Sequence, residues 1–552
     1  MTSMTLPTRR KALKLFAGVP LLPLGASGAA AFLAGCGGGS DDEQAQFAAA
    51  AFTSMAAPTL ANPSAMATTS VGSALKVTMS DQSVRSFDLA YQPFFITGDA
   101  VPDGKGGTML AGGYYDIRNQ PIVDRTVPAS PRQFFSDSPD GTSLLTVPGA
   151  KVEGVKGNPA FAVVQFEYTS LAQDGISDMY GRLPSPIAVL TLDQNPDTGK
   201  LSLVKYHNVD TSSAHGLWIT CGASLSPWGT HLSSEEYEPD AFTAASSSQF
   251  KAFSQNLFGS ETAANPYHYG HLPEVTVKAD GTASIQKHYC LGRISHELVQ
   301  VMPDERTTLM GDDATNGGLF VFIADKARDL SAGTLYVAKV GAGFSVDPAG
   351  PAATLTWIQL GSATSAQIEA LAGSTAPSDI FDLASKDPSD ASFRKTISNG
   401  RTEWLRLKPG MEKAAAFLET HRYAAYVGAS MGFSKMEGTT VNVRDKVAYS
   451  ALQNVQDSMV KGGKGHTDGN GIALDQALKA GAVMALNLRG GQKDLAGAAI
   501  QSDWMPADTR ALITGEDISA DALGNTANPN RIANPDNLKF SEKLRTLFIG
   551  ED

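Results

Sequence analysis

From residue 74 onward, short apolar runs alternate with polar positions and are cut by turn residues. The first, Ala74-Leu75-Lys76-Val77-Thr78-Met79, has the period of two that marks a strand with one face buried. Strands are predicted over 160–168, 186–193 and 201–206, with Asn195-Pro196-Asp197-Thr198-Gly199 turning the chain between the last two. Residues 271–277 and 283–289 flank Ala279-Asp280-Gly281 and read as a hairpin. Further strands are predicted over 307–310, 318–324, 333–340, 354–360, 424–428, 440–443, 446–451 and 546–550. Strands this short and frequent predict an all-β sandwich or propeller, and no internal repeat chooses between them. Helical segments are predicted over 365–372, 410–420 and 473–486, as insertions into loops. Insertions gathered on one face would suit a site placed there.

The first 75 residues follow other rules. Thr8-Arg9-Arg10-Lys11 precedes an apolar run broken by Gly and Pro, and resembles a twin-arginine export signal. The run ends Leu33-Ala34-Gly35-Cys36, which resembles a bacterial lipobox and predicts a lipid anchor on Cys36. The expected location is the periplasm or the outer membrane. Residues 37–75 are rich in Gly, Ser, Ala and Thr and read as a flexible tether. The chain thus divides into a signal over 1–36, a tether over 37–75 and a β domain over 76–552. No later apolar stretch reaches the ~20 residues of a membrane span.

Composition changes this picture in two ways. The net charge of −12 argues against a nucleic-acid surface and suits a protein that collects cations or simply stays soluble. With Cys36 assigned to the anchor, only Cys221 and Cys290 remain of three cysteines. They could pair after export, or serve separately.

The chemistry concentrates in residues 218–240, Trp-Ile-Thr-Cys-Gly-Ala-Ser-Leu-Ser-Pro-Trp-Gly-Thr-His-Leu-Ser-Ser-Glu-Glu-Tyr-Glu-Pro-Asp. A soft thiolate at Cys221 and hard carboxylates at Glu235 and Glu236 could hold a transition metal beside calcium. The same residues also read as a buried cysteine and a solvated acidic loop.

The run from Cys221 to Glu236 resembles the signature of the PhoX-type alkaline phosphatases, which reads Cys-(small)-Gly-Gly-x-Thr-Pro-Trp-Gly-Thr-x-Leu-(Thr/Ser)-Cys-Glu-Glu. Four later segments are similar to the family's in the same order: Gly292-Arg293-Ile294-Ser295-His296-Glu297, Met310-Gly311-Asp312-Asp313, Phe433-Ser434-Lys435-Met436-Glu437-Gly438, and Asn534-Pro535-Asp536-Asn537-Leu538 with the ending Glu551-Asp552. The resemblance covers residues from about 160 to the end. It implies a β-propeller, six-bladed, with the last blade left incomplete at Asp552. It also implies hydrolysis of small phosphate monoesters at two ferric ions surrounded by about three calcium ions. Cys221, Glu235, Glu236, Glu297, Asp312, Asp313, Glu437, Asp536, Glu551 and Asp552 are then the metal ligands. Cys221, Glu297, Glu437 and Lys435 are the catalytic set.

Two departures matter. Gly311 stands where the family carries a glutamate, and Lys435 replaces an arginine, a point charge for a planar fork. They keep open a calcium-binding, non-catalytic propeller of the cell envelope, or a phosphodiesterase on the same scaffold. His296 reads as a core histidine, Arg293 as a salt-bridge partner and Cys290 as structural. No G-x-S-x-G segment, P-loop or H-E-x-x-H occurs. A monomer acting on a small phosphoester is expected, with no nucleic-acid partner.

Overall fold

Alternation of buried and solvent-facing positions governs the strands of the computed structural model, which describes residues 45–58 and 60–552. The export and lipobox segments lie outside the described residues. The protein is mostly antiparallel β. Pro139–Leu145, Asn158–Phe166, Ile187–Gln194 and Leu201–Asn208 form one four-stranded meander. Ser224–Leu225, His231–Leu232, Leu272–Val277 and Ala283–His288 form a second. His296–Val301 leads into Thr307–Gly317, Phe320–Lys326, Asp329–Val340 and Ala353–Thr364. Phe433–Asn442, Val447–Leu452, Ala482–Arg489 and Met505–Thr514 follow, then the hairpin Pro535–Ser541 and Thr546–Glu551.

The third and fourth meanders are not separate. Ala353 and Thr354 pair with Thr509 and Asp508, while Asp312, Thr315 and Gly317 pair with Met436, Ser434 and Phe433. Eight strands thereby close into a ring. The reason is length: Thr307–Gly317 runs 11 residues, so its second half passes its hairpin partner and reaches another strand. Isolated propeller blades do not predict this closure.

Other expectations change locally. Residues 473–486, read as a helix, give way to the strand Ala482–Arg489. Its apolar residues are buried on both faces, which erases the period of two. Residues 424–428, read as a strand, mostly belong to the helix Thr420–Tyr426. The tether contains the strand Phe47–Phe52, paired with Ser70–Met79. The Phe52 ring packs edge-on against Phe548 of the C-terminal hairpin at 5.5 Å. The helix Ser365–Ala372 starts at a capping box between Thr364 and Gln367, as the periodicity predicts. Cys290 is buried, with Sγ 3.2 Å from the Leu330 carbonyl, and neither described cysteine forms a disulfide.

Strands from five places in the chain surround one cavity of about 480 Å³, lined among others by Thr142, Ser224, Gln300, Thr439 and Lys539. Close approach at its head is made by glycines. A Cβ on Gly141 would stand 2.7 Å from the Cys221 carbonyl, and one on Gly222 would overlap Glu297 at 2.2 Å. One on Gly311 would meet the Glu437 carbonyl at 2.3 Å. One on Gly438 would meet the Asp536 carbonyl at 2.3 Å and the Leu538 nitrogen at 2.6 Å. No side chain fits at Gly311, so glycine there is a packing requirement.

Gly438→Ala meets backbone rather than a movable side chain. It is expected to cost about 1–3 kcal/mol or more, read as a fall in the thermal midpoint. A midpoint unchanged within error would show that the strands can part without penalty.

Candidate metal centre

Each inner strand delivers a polar group just before it enters the cavity wall. Asp140 precedes Gly141, Cys221 precedes Gly222, and Glu437 precedes Gly438. Glu297 and Asp536 sit near the starts of His296–Val301 and Pro535–Ser541. Ligand-capable atoms of Asp140, Glu167 and Cys221 lie within 4.8 Å of one another, as do those of Cys221, Glu236 and Glu297. Cys221 is common to both groups, with Sγ 3.3 Å from Asp140 Oδ2. Asp313 and Glu437 join from the ring closure.

This crowding is unfavourable for bare anions. Burial, and then the charges of Glu236, Glu297 and Asp140, push the Cys221 thiol well above its ordinary range. Burial and neighbouring carboxylates likewise raise Glu236, Glu297 and Glu437 well above theirs. Glu167 and Asp536 are each lifted to about 7, first by burial and then by other acids. Buried Asp313 Oδ1 and Glu437 Oε1 have no hydrogen-bond partner. A group of buried and half-buried carboxyls without hydrogen-bond donors for all their oxygens, around a thiol, fits cations, which would replace the protons and satisfy those oxygens.

Lys435 is the cation that reaches into the cluster. Its Nζ lies 2.6 Å from Asp313 Oδ2, 2.6 Å from the Tyr237 hydroxyl and 3.4 Å from Glu437 Oε1. Burial acts to lower its pKa, but Glu437 and Asp313 together hold it above the usual lysine range. Lys435 and Tyr237 both adopt positive φ, 52° and 46°, in conformations that L-residues rarely hold without constraint. The constraint on Tyr237 is visible: its N–H donates to Ser295 Oγ at 2.8 Å and its carbonyl accepts from Trp218 Nε1 at 3.1 Å. The Tyr237 hydroxyl is hydrogen-bonded to Asp313.

Three expected ligands point elsewhere. Glu235 is buried opposite its neighbour Glu236 and accepts from Lys287 Nζ at 2.8 Å and from the N–H groups of Trp218, Gly270 and His271. Every oxygen site is used, so Glu235 is an ion pair in the wall. Asp312 accepts from His421 at 2.9 Å and from the Gly318 N–H at 2.8 Å. His421 also bonds Glu238 at 3.0 Å. Burial alone would lower this histidine, but the two acids hold it up at about 10, so it bridges them as a cation. Burial raises Asp312 even so, while Glu238 lies low. The two short bonds to His421 argue that both are ionised. Glu551 is exposed and accepts from the Ala533 N–H at 3.0 Å. Asp552 lies at the rim, bonded to Gln453 at 3.0 Å, close enough for its charge to raise Asp536. Arg293 forms no salt bridge among the described residues. It donates to the carbonyls of Tyr269 and Pro239. His296 is buried, with Nε2 3.0 Å from the Gly292 carbonyl.

Sequence reasoning missed Asp140, Glu167 and Tyr237. The pair Asp140-Gly141 repeats the pattern of Cys221-Gly222 and Glu437-Gly438, and that repetition was the available signal.

A mostly β fold with a thiol and converging carboxyls at the head of an inner cavity defines a cation-holding protein. The family described as alkaline phosphatase PhoX matches residues 191–552, and the chain belongs to that family. It is a phosphatase. Among solved structures, "Pseudomonas fluorescens PhoX in complex with vanadate, a transition state analogue" is similar in fold, with a TM-score of 0.51 at 18% identity. The match covers 84% of this chain and 80% of that one. No curated protein matches the chain. Asp140 and Glu167 precede the matched family region.

Two outcomes follow for neighbouring glutamates. Glu235→Gln leaves Lys287 charged and buried, and is expected to cost about 3–5 kcal/mol in thermal or denaturant unfolding. Glu236→Gln removes a repelled carboxyl, so the metal-free protein should keep or raise its midpoint while metal content falls. The reverse ranking would contradict these assignments.

The pH dependence has a definite sign. Glu167 and Asp536 are raised to about 7, so the native metal-free protein keeps protons that the unfolded chain has released. Their contribution is present at acid pH and is lost as pH rises through about 7. Chelator-treated protein should therefore melt higher at about pH 5 than at pH 8. Added cation should raise the midpoint most at the higher pH. A metal-free midpoint that climbs from pH 5 to 8 would contradict the crowding.

Proposed function

We propose that this phosphatase hydrolyses small phosphate monoesters at a centre of two ferric and about three calcium ions. The observation that carries the reading is the convergence of Asp140, Glu167, Glu236, Glu297, Asp313, Glu437 and Asp536 around Cys221, with an idle buried oxygen on Asp313 and one on Glu437 met only by the Lys435 ammonium at 3.4 Å. The soft thiolate of Cys221 suits iron, and the carboxylates suit iron and calcium both. Bound there, the cations supply positive charge against the phosphoryl and leaving oxygens, where charge develops in the transition state.

The chain does the rest. Glu297 and Glu437 orient the centre from adjacent strands. The Lys435 ammonium attracts a phosphoryl oxygen as a point charge, without the paired geometry of arginine. The Tyr237 hydroxyl holds that ammonium at the rim, and its half-exposed ring forms one side of the entrance. The buried wall built by Glu235–Lys287 and by Asp312–His421–Glu238 keeps the two ligand-bearing segments in register.

The six-bladed propeller belongs to the same reading. Five strands around one cavity support it, as does packing of the N-terminal sheet on the C-terminal hairpin. Export and a lipid anchor at Cys36 rest on Arg9-Arg10 and on Leu33-Ala34-Gly35-Cys36. No helix among the described residues is long and apolar enough to cross a membrane.

Cys221→Ser tests the reading. Protein made in an exporting host should lose iron, keep part of its calcium, and hydrolyse p-nitrophenyl phosphate at least about a hundredfold more slowly, or about 2.7 kcal/mol in the barrier. Elemental analysis and initial rates check this together. A variant that keeps both iron and turnover would contradict the role given to the thiol.

A further inference from the structure

Along the strand Thr307–Gly317, two residues past Asp313, lies a second cavity of about 380 Å³. Its wall includes Thr315, Gln456, Asp457, Ser458, Lys464 and Lys479. It is tied to the site by short links. Thr315 is two residues from Asp313 and pairs with Ser434, the neighbour of Lys435. Thr315 Oγ1 donates to Gln456 at 3.2 Å, the Gln456 N–H donates to Ser434 Oγ at 3.0 Å, and the Gln453 N–H donates to the Lys435 carbonyl at 2.9 Å. Two strand residues span about 7 Å, so the cavity begins that far from the cluster.

Its chemistry differs from that of the cluster. Lys464 and Lys479 are exposed and form no ion pair among the described residues, against the single carboxylate of Asp457. Ser458 is 1% exposed, yet its Oγ has no hydrogen-bond partner. Two unpaired lysines, an idle hydroxyl and an amide thus line one cavity, and these are the donor types that an oxyanion takes. On an acidic protein, unpaired lysines beside an acid cluster have no structural task in view.

We propose that this cavity is a subsite for a second phosphate group on the substrate, so that the enzyme favours bisphosphorylated small molecules over simple monoesters. This rests on the hydrolase reading above. One phosphoryl group sits at the cluster with Lys435, and the other lies between Lys464 and Lys479 across Thr315. The attraction is partly solvent-exposed and weakens with salt.

The test compares phosphate release from propyl phosphate and from propanediol bisphosphate by the wild-type enzyme and by Lys464→Gln/Lys479→Gln. Both lysines are exposed, so the double variant should keep its thermal midpoint and its rate on propyl phosphate. At low ionic strength the wild-type kcat/KM should favour the bisphosphate by about tenfold, the effect of ~1.4 kcal/mol. In the double variant that preference should shrink to about twofold, the statistical value for two equivalent groups, through a rise in KM, and added salt should reduce it in the wild type. A wild-type preference of about twofold, or one that the substitutions leave unchanged, overturns the inference while the hydrolase reading stands. Release from neither substrate by metal-loaded wild type overturns both.

Discussion

The structure depends on repulsion among buried acids. Four buried carboxyls meet three half-buried ones and a half-buried thiol, and Lys435 is the only cation reaching in among the described residues. Their ordinary responses are to take up protons or cations, and the protein is built so that cations are the better answer at neutral pH. The carboxylates that do not take part are neutralised individually. Glu235 has Lys287, and Asp312 and Glu238 share His421. Neighbours in sequence thus divide their work: Glu236 and Asp313 face the cluster, while Glu235, in the loop after His231–Leu232, and Asp312, in the strand Thr307–Gly317, anchor the wall.

Such crowding needs backbones close together. Gly141, Gly222, Gly311 and Gly438 remove the side chains that would hold the strands apart. In three cases the glycine directly follows a cluster residue, so the acid or thiol and the gap beside it are encoded as one dipeptide. The same constraint leaves no room for a side chain at Gly311. The ring closure between Thr307–Gly317 and Phe433–Asn442 brings Asp313, Lys435 and Glu437 to the cluster across that narrow gap.

Much of this was legible in the sequence, and the failures have causes. The hairpins flanking 195–199 and 279–281 were readable because turn chemistry and alternation agree there. Cys221, Glu297, Glu437 and Asp536 stood out through ordered motif resemblance. Glu235 and Asp312 were misplaced because a pair of adjacent acids does not say which one faces inward; that depends on the partners the fold brings to each, Lys287 for Glu235 and His421 for Asp312. Asp140 and Glu167 were missed because an acid at a strand end resembles any solvated turn until its partners are in place. The strand over 482–489 was hidden because burial on both faces leaves no alternation to read. The ring closure is a long-range pairing, and nothing local announces it.

The most direct test of the central claim is anomalous diffraction from crystals of the metal-loaded protein, recorded on both sides of the iron edge. The account predicts iron peaks bonded to Cys221 Sγ and shared with Glu297 and Glu437, and further cation density against Asp140, Asp313 and Asp536. Protein that turns over substrate with no cation among these residues, or with its metal bound elsewhere, would contradict it.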